Sequence, residues 1–159
     1  MPEFTHLDKN GRVRMVDVTE KKPTVRSAAA QGRISMTPET LEKIRDQSVK
    51  KGNVLETARI AGIMGAKQTA ALIPMCHPLH ITHAQVDFFP DTEDSAIRIE
   101  ATVRATDQTG VEMEALTSVS VAALTIYDMC KSYDREMVIS EICLMEKTGG
   151  KSGPYKRTS

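Results

Sequence analysis

The sequence predicts an α+β domain of the ferredoxin-like kind, an antiparallel sheet with helices packed on one face. Three observations carry this. In residues 95–106, Ile97, Ile99, Ala101 and Val103 alternate with Arg98, Glu100, Thr102 and Arg104, the period-two pattern of a half-buried strand. Residues 111–131 (VEMEALTSVSVAALTIYDMCK) repeat at helical period and carry no charge from Ala115 to Tyr127. The elements run strand, helix, helix, strand, strand, helix, strand, which is the split β-α-β order once the first helix is taken as doubled.

Taken in order, residues 1–23 read as an irregular arm with a turn at residues 8–11 (DKNG). Residues 24–36 read as a strand in which Val25, Ser27 and Ala29 alternate with their neighbours, with a bulge at Gly32. Thr37-Pro38 supplies an N-cap followed by proline at the first helical position, opening a helix to about Gln47. Asn53, with Glu56 three residues on, resembles a capping box and opens a second helix from Val54 to about Ala71. On it, Ala58, Gly62 and Ala66 lie four apart. Gly62 and Gly65 would each cost roughly 1 kcal/mol in an exposed helix, so the close approach of another backbone is expected there. Residues 74–78 (PMCHP) form a bend. Residues 79–89 and 95–106 make an antiparallel hairpin across the turn-rich 90–94 (PDTED). After the central helix, residues 137–146 read as the last strand. The Gly-rich, basic residues 147–159 read as a flexible tail, leaving 24–146 as a single domain.

A chain of 159 residues is long enough to bury a core without staples. Net charge is zero, so composition gives no footprint for nucleic acid or an anionic membrane, and the strands lack the exposed aromatics that stack bases. The three cysteines, Cys76, Cys130 and Cys143, form no paired spacing, which fits a reducing cytoplasm. Residues 1–10 are polar, so no signal peptide is expected.

The chemistry-bearing residues sit around the central helix. A surface helix normally shows Lys or Glu on its outer side; here that side carries Thr117, Ser118, Ser120, Val121, Leu124 and Thr125, so a second subunit is expected to cover it. Asp128 and Lys131 share a face of the last turn. Beside an apolar flank and at the negative helix end, Asp128 is expected to be part-buried, with a raised pKa suited to general acid–base work. Glu112 and Glu114 occupy the first turn, where the helix dipole alone accounts for carboxylates. Glu114 and Asp128 lie on nearly the same side, about 21 Å apart along the axis, so one small molecule bridges them only if two chains bring opposite helix ends together. Lys50-Lys51 precede a helix N-terminus, a place suited to anions or proton transfer. His80 and His83 point to opposite strand faces, which argues against a metal site with Cys76 and His77 and leaves His77 as a substrate-contacting imidazole. Residues 149–152 (GGKS) resemble part of a Walker A motif, but Met145 stands where its first glycine belongs.

MVDV at 15–18, KKGNVLETARIAGI at 50–63, LIPMCHPL at 72–79, TGVEMEALTSVSVAALTIYDMCK at 109–131 and KTGGKSG at 147–153 together resemble the MoaC family of cyclic pyranopterin monophosphate synthases. The resemblance spans nearly the whole chain. It implies a lyase of molybdenum cofactor biosynthesis that converts 3′,8-cyclo-7,8-dihydroguanosine 5′-triphosphate to cyclic pyranopterin monophosphate with release of diphosphate. It also implies no redox cofactor, a homohexamer built as a trimer of dimers, and catalytic sites at the dimer interface. Carried onto this sequence, it makes Asp128, Lys51 and Lys131 catalytic, and Met75, Cys76, His77, Glu112, Met113, Glu114 and Lys147 substrate-binding. A Lys51-defective and an Asp128-defective chain would then be expected to complement each other in mixed dimers. The rival expectation is a non-catalytic, nucleotide-sensing ferredoxin-like oligomer.

Overall fold

The computed structural model describes residues 4–159. Its elements are β1 (Thr24–Ser35), α1 (Pro38–Arg45), α2 (Val54–Lys67), α3 (Thr69–Leu72), β2 (Ile81–Asp91), β3 (Ala96–Asp107), α4 (Glu112–Cys130), β4 (Val138–Thr148) and β5 (Tyr155–Lys156). The sheet order is β2-β3-β1-β4-β5, antiparallel throughout, with the helices packed on it. This is the expected ferredoxin-like α+β fold. Both helix starts follow from their caps: the Thr37 and Asn53 side chains accept from the backbone N–H groups of Thr40 and Glu56. Ile97, Ile99, Ala101 and Val103 of β3 all point into the core, as their alternation requires.

Two details of β1 differ from expectation. The core-facing residues are Ala28, Ala30, Gly32 and Ile34, while Val25 is exposed, because the wider patterning of the strand overrides its first few residues. The irregularity expected at Gly32 lies on the facing strand. β1 pairs with β3 without a break, whereas β4 carries an extra residue between Leu144 and Glu146 and another near Glu141, whose φ is 55°. A Cβ on Gly32 would meet Ile142 at 3.4 Å and Val119 of the central helix at 3.7 Å, ordinary contact distances.

The boundary expected at residue 147 falls inside β4, which runs to Thr148. Beyond it, Tyr155 and Lys156 pair back onto Lys147 and Glu146, and the Arg157 backbone N–H donates to the Met145 carbonyl at 2.7 Å. The segment is polar and short, so its pairing left no apolar alternation to read.

Helix α4 lies across β1, β3 and β4, and α2 packs along it. The glycines of α2 explain how closely. A Cβ on Gly62 would sit 3.1 Å from the Ser118 carbonyl, and one on Gly65 would sit 2.9 Å from Val121. The uncharged outer flank of α4 is therefore divided. Thr117 and Ser118 are buried within the chain, whereas Leu124 stays 58% exposed, and Ile60 and Met64 of α2 are exposed as well. Gly65→Ala is expected to lower stability by about 1–2 kcal/mol, overpacking against Val121 outweighing the gain in helix propensity. Thermal or urea unfolding reads this, and a stabilised variant would show that α2 can move away from α4 at little cost.

Candidate active site

The N-terminal end of α4 forms the floor of a cleft of about 310 Å³. The bend after α3 contributes Met75, Cys76 and His77, and the first turn of α4 contributes Glu112, Met113 and Glu114. Residues of the arm, His6 and Lys21 among them, close the far side. All six residues are ones the family resemblance assigns to substrate. The seventh, Lys147, reaches the rim: its ammonium lies 3.1 Å from Glu112 Oε1 and donates to Ser152 Oγ at 2.7 Å.

The two carboxylates of that turn have different surroundings. Glu112 is half-buried and paired with Lys147. Glu114 is 4% exposed, and burial, with a smaller push from the charges of Glu112 and Asp107, raises its pKa to about 7. A carboxyl near pH 7 can both give and take a proton, which the helix dipole would not by itself suggest. Burial and the Glu114 charge also push the Cys76 thiol up, so it stands in the cleft as a neutral group.

A second cleft, of about 540 Å³, shares Lys21 with the first and is lined further by Lys22, Arg26 and Lys151, with Glu20 as its one carboxylate. Arg26 is buried; its Nη2 donates to the Gln108 carbonyl at 3.2 Å, and its Nε has no partner among the described residues. The GGKS loop wraps this guanidinium. Gly149 and Gly150 have φ of 90° and 85°, and a Cβ on Gly150 would overlap the Arg26 side chain. These residues thus make an anion-ready basic wall without the fold of a P-loop.

At the other end of α4, Lys131 Nζ donates to Asp128 Oδ1 at 2.7 Å, and Lys51 Nζ donates to the Asp128 carbonyl at 2.8 Å while lying 3.7 Å from Oδ2. All three expected catalytic residues are together. The expected state of Asp128 is corrected: its side chain is 63% exposed, and the hydrogen bond and charge of Lys131, with the charge of Lys51, hold its pKa below the ordinary aspartate value. Within one chain the apolar flank does not cover it, and two ammonium groups outweigh the helix dipole. The expected complementation pair is corrected too, since Lys51 and Asp128 belong to one cluster and not to opposite halves.

Sequence reasoning missed Arg26, Lys21 and Lys151 as a group. They come from three segments far apart in the chain, and although Lys151 in the basic tail is suited to an anion by itself, nothing in the local pattern of β1, which also carries Arg33, sets Arg26 apart. Among the described residues no group of three His, Cys, Asp or Glu side chains is arranged to hold a metal ion, and no helix is long and apolar enough to cross a membrane.

The fold and these side chains define a class: a ferredoxin-like α+β protein with acid–base groups at both ends of one helix and a basic cleft beside one of them. Within it, the chain belongs to the MoaC family, whose model matches residues 15–150. It is similar to the cyclic pyranopterin monophosphate synthase of Desulfatibacillum aliphaticivorans, 66% identical over 155 residues that cover 98% of each chain. The proteins of the same name from Chloroflexus aurantiacus (59% identical, 98% of this chain and 95% of the relative) and Parvibaculum lavamentivorans (58%, 97% and 96%) are similar over comparable spans.

The raised Glu114 pKa has a consequence for stability. Between its ordinary value of 4.5 and about 7, the unfolded chain has released a proton that the folded chain keeps. Stability is therefore expected to fall as pH rises through that window and to level off above it. Glu114→Gln should flatten this part of the profile, measured by urea unfolding across pH; a slope unchanged by the substitution would show that Glu114 is not the group responsible.

Proposed function

We propose that this chain is a cyclic pyranopterin monophosphate synthase, a phosphorus–oxygen lyase that converts 3′,8-cyclo-7,8-dihydroguanosine 5′-triphosphate to cyclic pyranopterin monophosphate and diphosphate. Its close relatives over nearly their full length carry that name. The observation that carries the site assignment is the grouping at α4: Met75, Cys76, His77, Glu112, Met113 and Glu114 at one end, and Lys51, Asp128 and Lys131 at the other.

In this reading the guanine-derived rings enter the cleft beside Glu114 and His77, and the triphosphate lies toward Arg26, Lys21, Lys147 and Lys151. Ring opening and reclosure need protons delivered and taken in turn. Glu114, with its pKa of about 7, and the lysine–aspartate cluster are placed to exchange them. In the phosphoryl step a ribose hydroxyl attacks the α-phosphorus, its proton leaves to a nearby base, the bond to the β-phosphate breaks, and diphosphate departs. Cationic side chains stabilise the leaving charge.

The two clusters stand about 21 Å apart on one helix, so a complete site takes its two halves from two chains in an isologous pair. The exposed Leu124, Ile60 and Met64 supply apolar surface for such pairing. We extend this to a homohexamer of three dimers in the cytoplasm, where the free thiols of Cys76, Cys130 and Cys143 are at home.

Purified protein incubated with the cyclo-dihydro-GTP substrate should release diphosphate; a protein that binds the nucleotide and leaves it intact would be a sensor instead. Lys51→Ala is expected to lower kcat by at least about 100-fold, the scale of an acid–base group. Arg26→Ala should raise KM by about 10-fold or more, as for loss of hydrogen bonds from a charged donor. An unchanged KM would remove the basic cleft from phosphate recognition.

A further inference from the structure

We propose that Tyr133, three residues past the end of α4, is the positioning residue for Lys51, pinning the 49–52 turn so that the Lys51 ammonium stays on the end of the helix. This rests on the reading that Lys51 and Asp128 act in catalysis. The turn itself is closed by one backbone bond, from the Gly52 N–H to the Val49 carbonyl at 3.0 Å, and Gly52 has a φ of 113°. Val49 anchors it in the core on one side, and the Asn53 cap of α2 on the other. Lys50 and Lys51 between them are exposed. A lysine stem has four rotatable carbons, and an exposed turn alone does not hold its ammonium in one place.

Tyr133 supplies the missing hold. Its phenol oxygen accepts the Lys50 N–H at 3.3 Å, one residue before Lys51. Tyr133 is itself fixed from three directions. Its backbone N–H donates to the Cys130 carbonyl at 2.8 Å, continuing the end of α4. The Lys43 ammonium of α1 lies 5.1 Å from the centre of its ring. The next residue, Asp134, is buried and accepts the N–H groups of Thr37 at 2.8 Å and Glu136 at 3.1 Å, tying the segment to the start of α1. The charged groups around this junction are thus Lys43 from α1, Lys50 and Lys51 from the turn, Asp128 and Lys131 from α4, and Asp134. Tyr133 makes no bond to Asp128 or Lys131, so it acts through Lys51.

Tyr133→Phe keeps the ring and its lysine contact and removes only the acceptor. Two measurements on the intact protein read the effect. kcat with the cyclo-dihydro-GTP substrate should fall by about 3- to 10-fold, the scale of one hydrogen bond, with KM little changed. The Asp128 carboxyl, followed by carbon NMR titration, should move up toward an ordinary aspartate, because the Lys51 contribution is loosened while that of Lys131 remains. A Lys51→Ala chain sets the limit of that movement. A merely structural role would lower the melting temperature without moving the Asp128 titration. An Asp128 titration identical to that of the parent overturns the proposal, whatever kcat does. An Asp128 titration that moves while kcat holds leaves the contact standing and refutes the catalytic use of Lys51. A parent protein without turnover refutes the functional reading alone, since the titration still reports on Tyr133.

Discussion

The close packing of α2 on α4 is the constraint on which the rest of this structure depends. Gly62 and Gly65 bring α2 to within touching distance of the Ser118 carbonyl and Val121, and Ala58 and Ala66 are buried on the same helix. Once that contact is made, the chain entering α2 and the chain leaving it have little freedom. Lys51, three residues before α2, arrives at the C-terminal end of α4 and meets Asp128. Ala66 and Lys67, at the other end of α2, line a small cleft with Glu114, and the 75–77 bend that follows borders the larger cleft at the N-terminal end of α4. Small residues in the middle of a helix pair thereby fix ionisable residues at both ends of α4.

The two ends are electrostatic opposites. At the N-terminal end, Glu114 is buried and carries a pKa of about 7, despite a helix dipole that favours its charge. At the C-terminal end, Asp128 is held in its charged form by Lys131 and Lys51 against a dipole that disfavours it. In both cases near neighbours and solvent access decide the outcome, because the dipole contributes only about 1 kcal/mol at an exposed terminus and up to about 2 kcal/mol at a partly buried one.

Much of this was legible in the sequence because local signals agreed with the global fold. The caps at Thr37 and Asn53, the alternation of β3 and the small residues of α2 each have one physical solution, and the structure adopts it. The residues matched to the MoaC family fall into two spatial groups. What escaped reading depends on contacts between distant segments. β5 pairs through its backbone, which leaves no side-chain pattern. The exposure of Asp128 depends on which part of the α4 flank its own chain covers; Ser118 is covered by α2 and Leu124 is not. The Arg26 cleft draws on the arm, β1 and the 149–152 loop, whose proximity only the sheet establishes.

The central claim is that neither chain alone holds a complete reaction centre, and mixing two inactive proteins tests it most directly. Lys51→Ala disables the cluster at one helix end and Glu114→Gln the cleft at the other, and each pure protein should be inactive. After unfolding and refolding together, random pairing should restore about a quarter of the parent activity, since half the dimers are mixed and each of those has one intact site of two. A mixture of paired, folded chains that stays as inactive as its components would contradict the account.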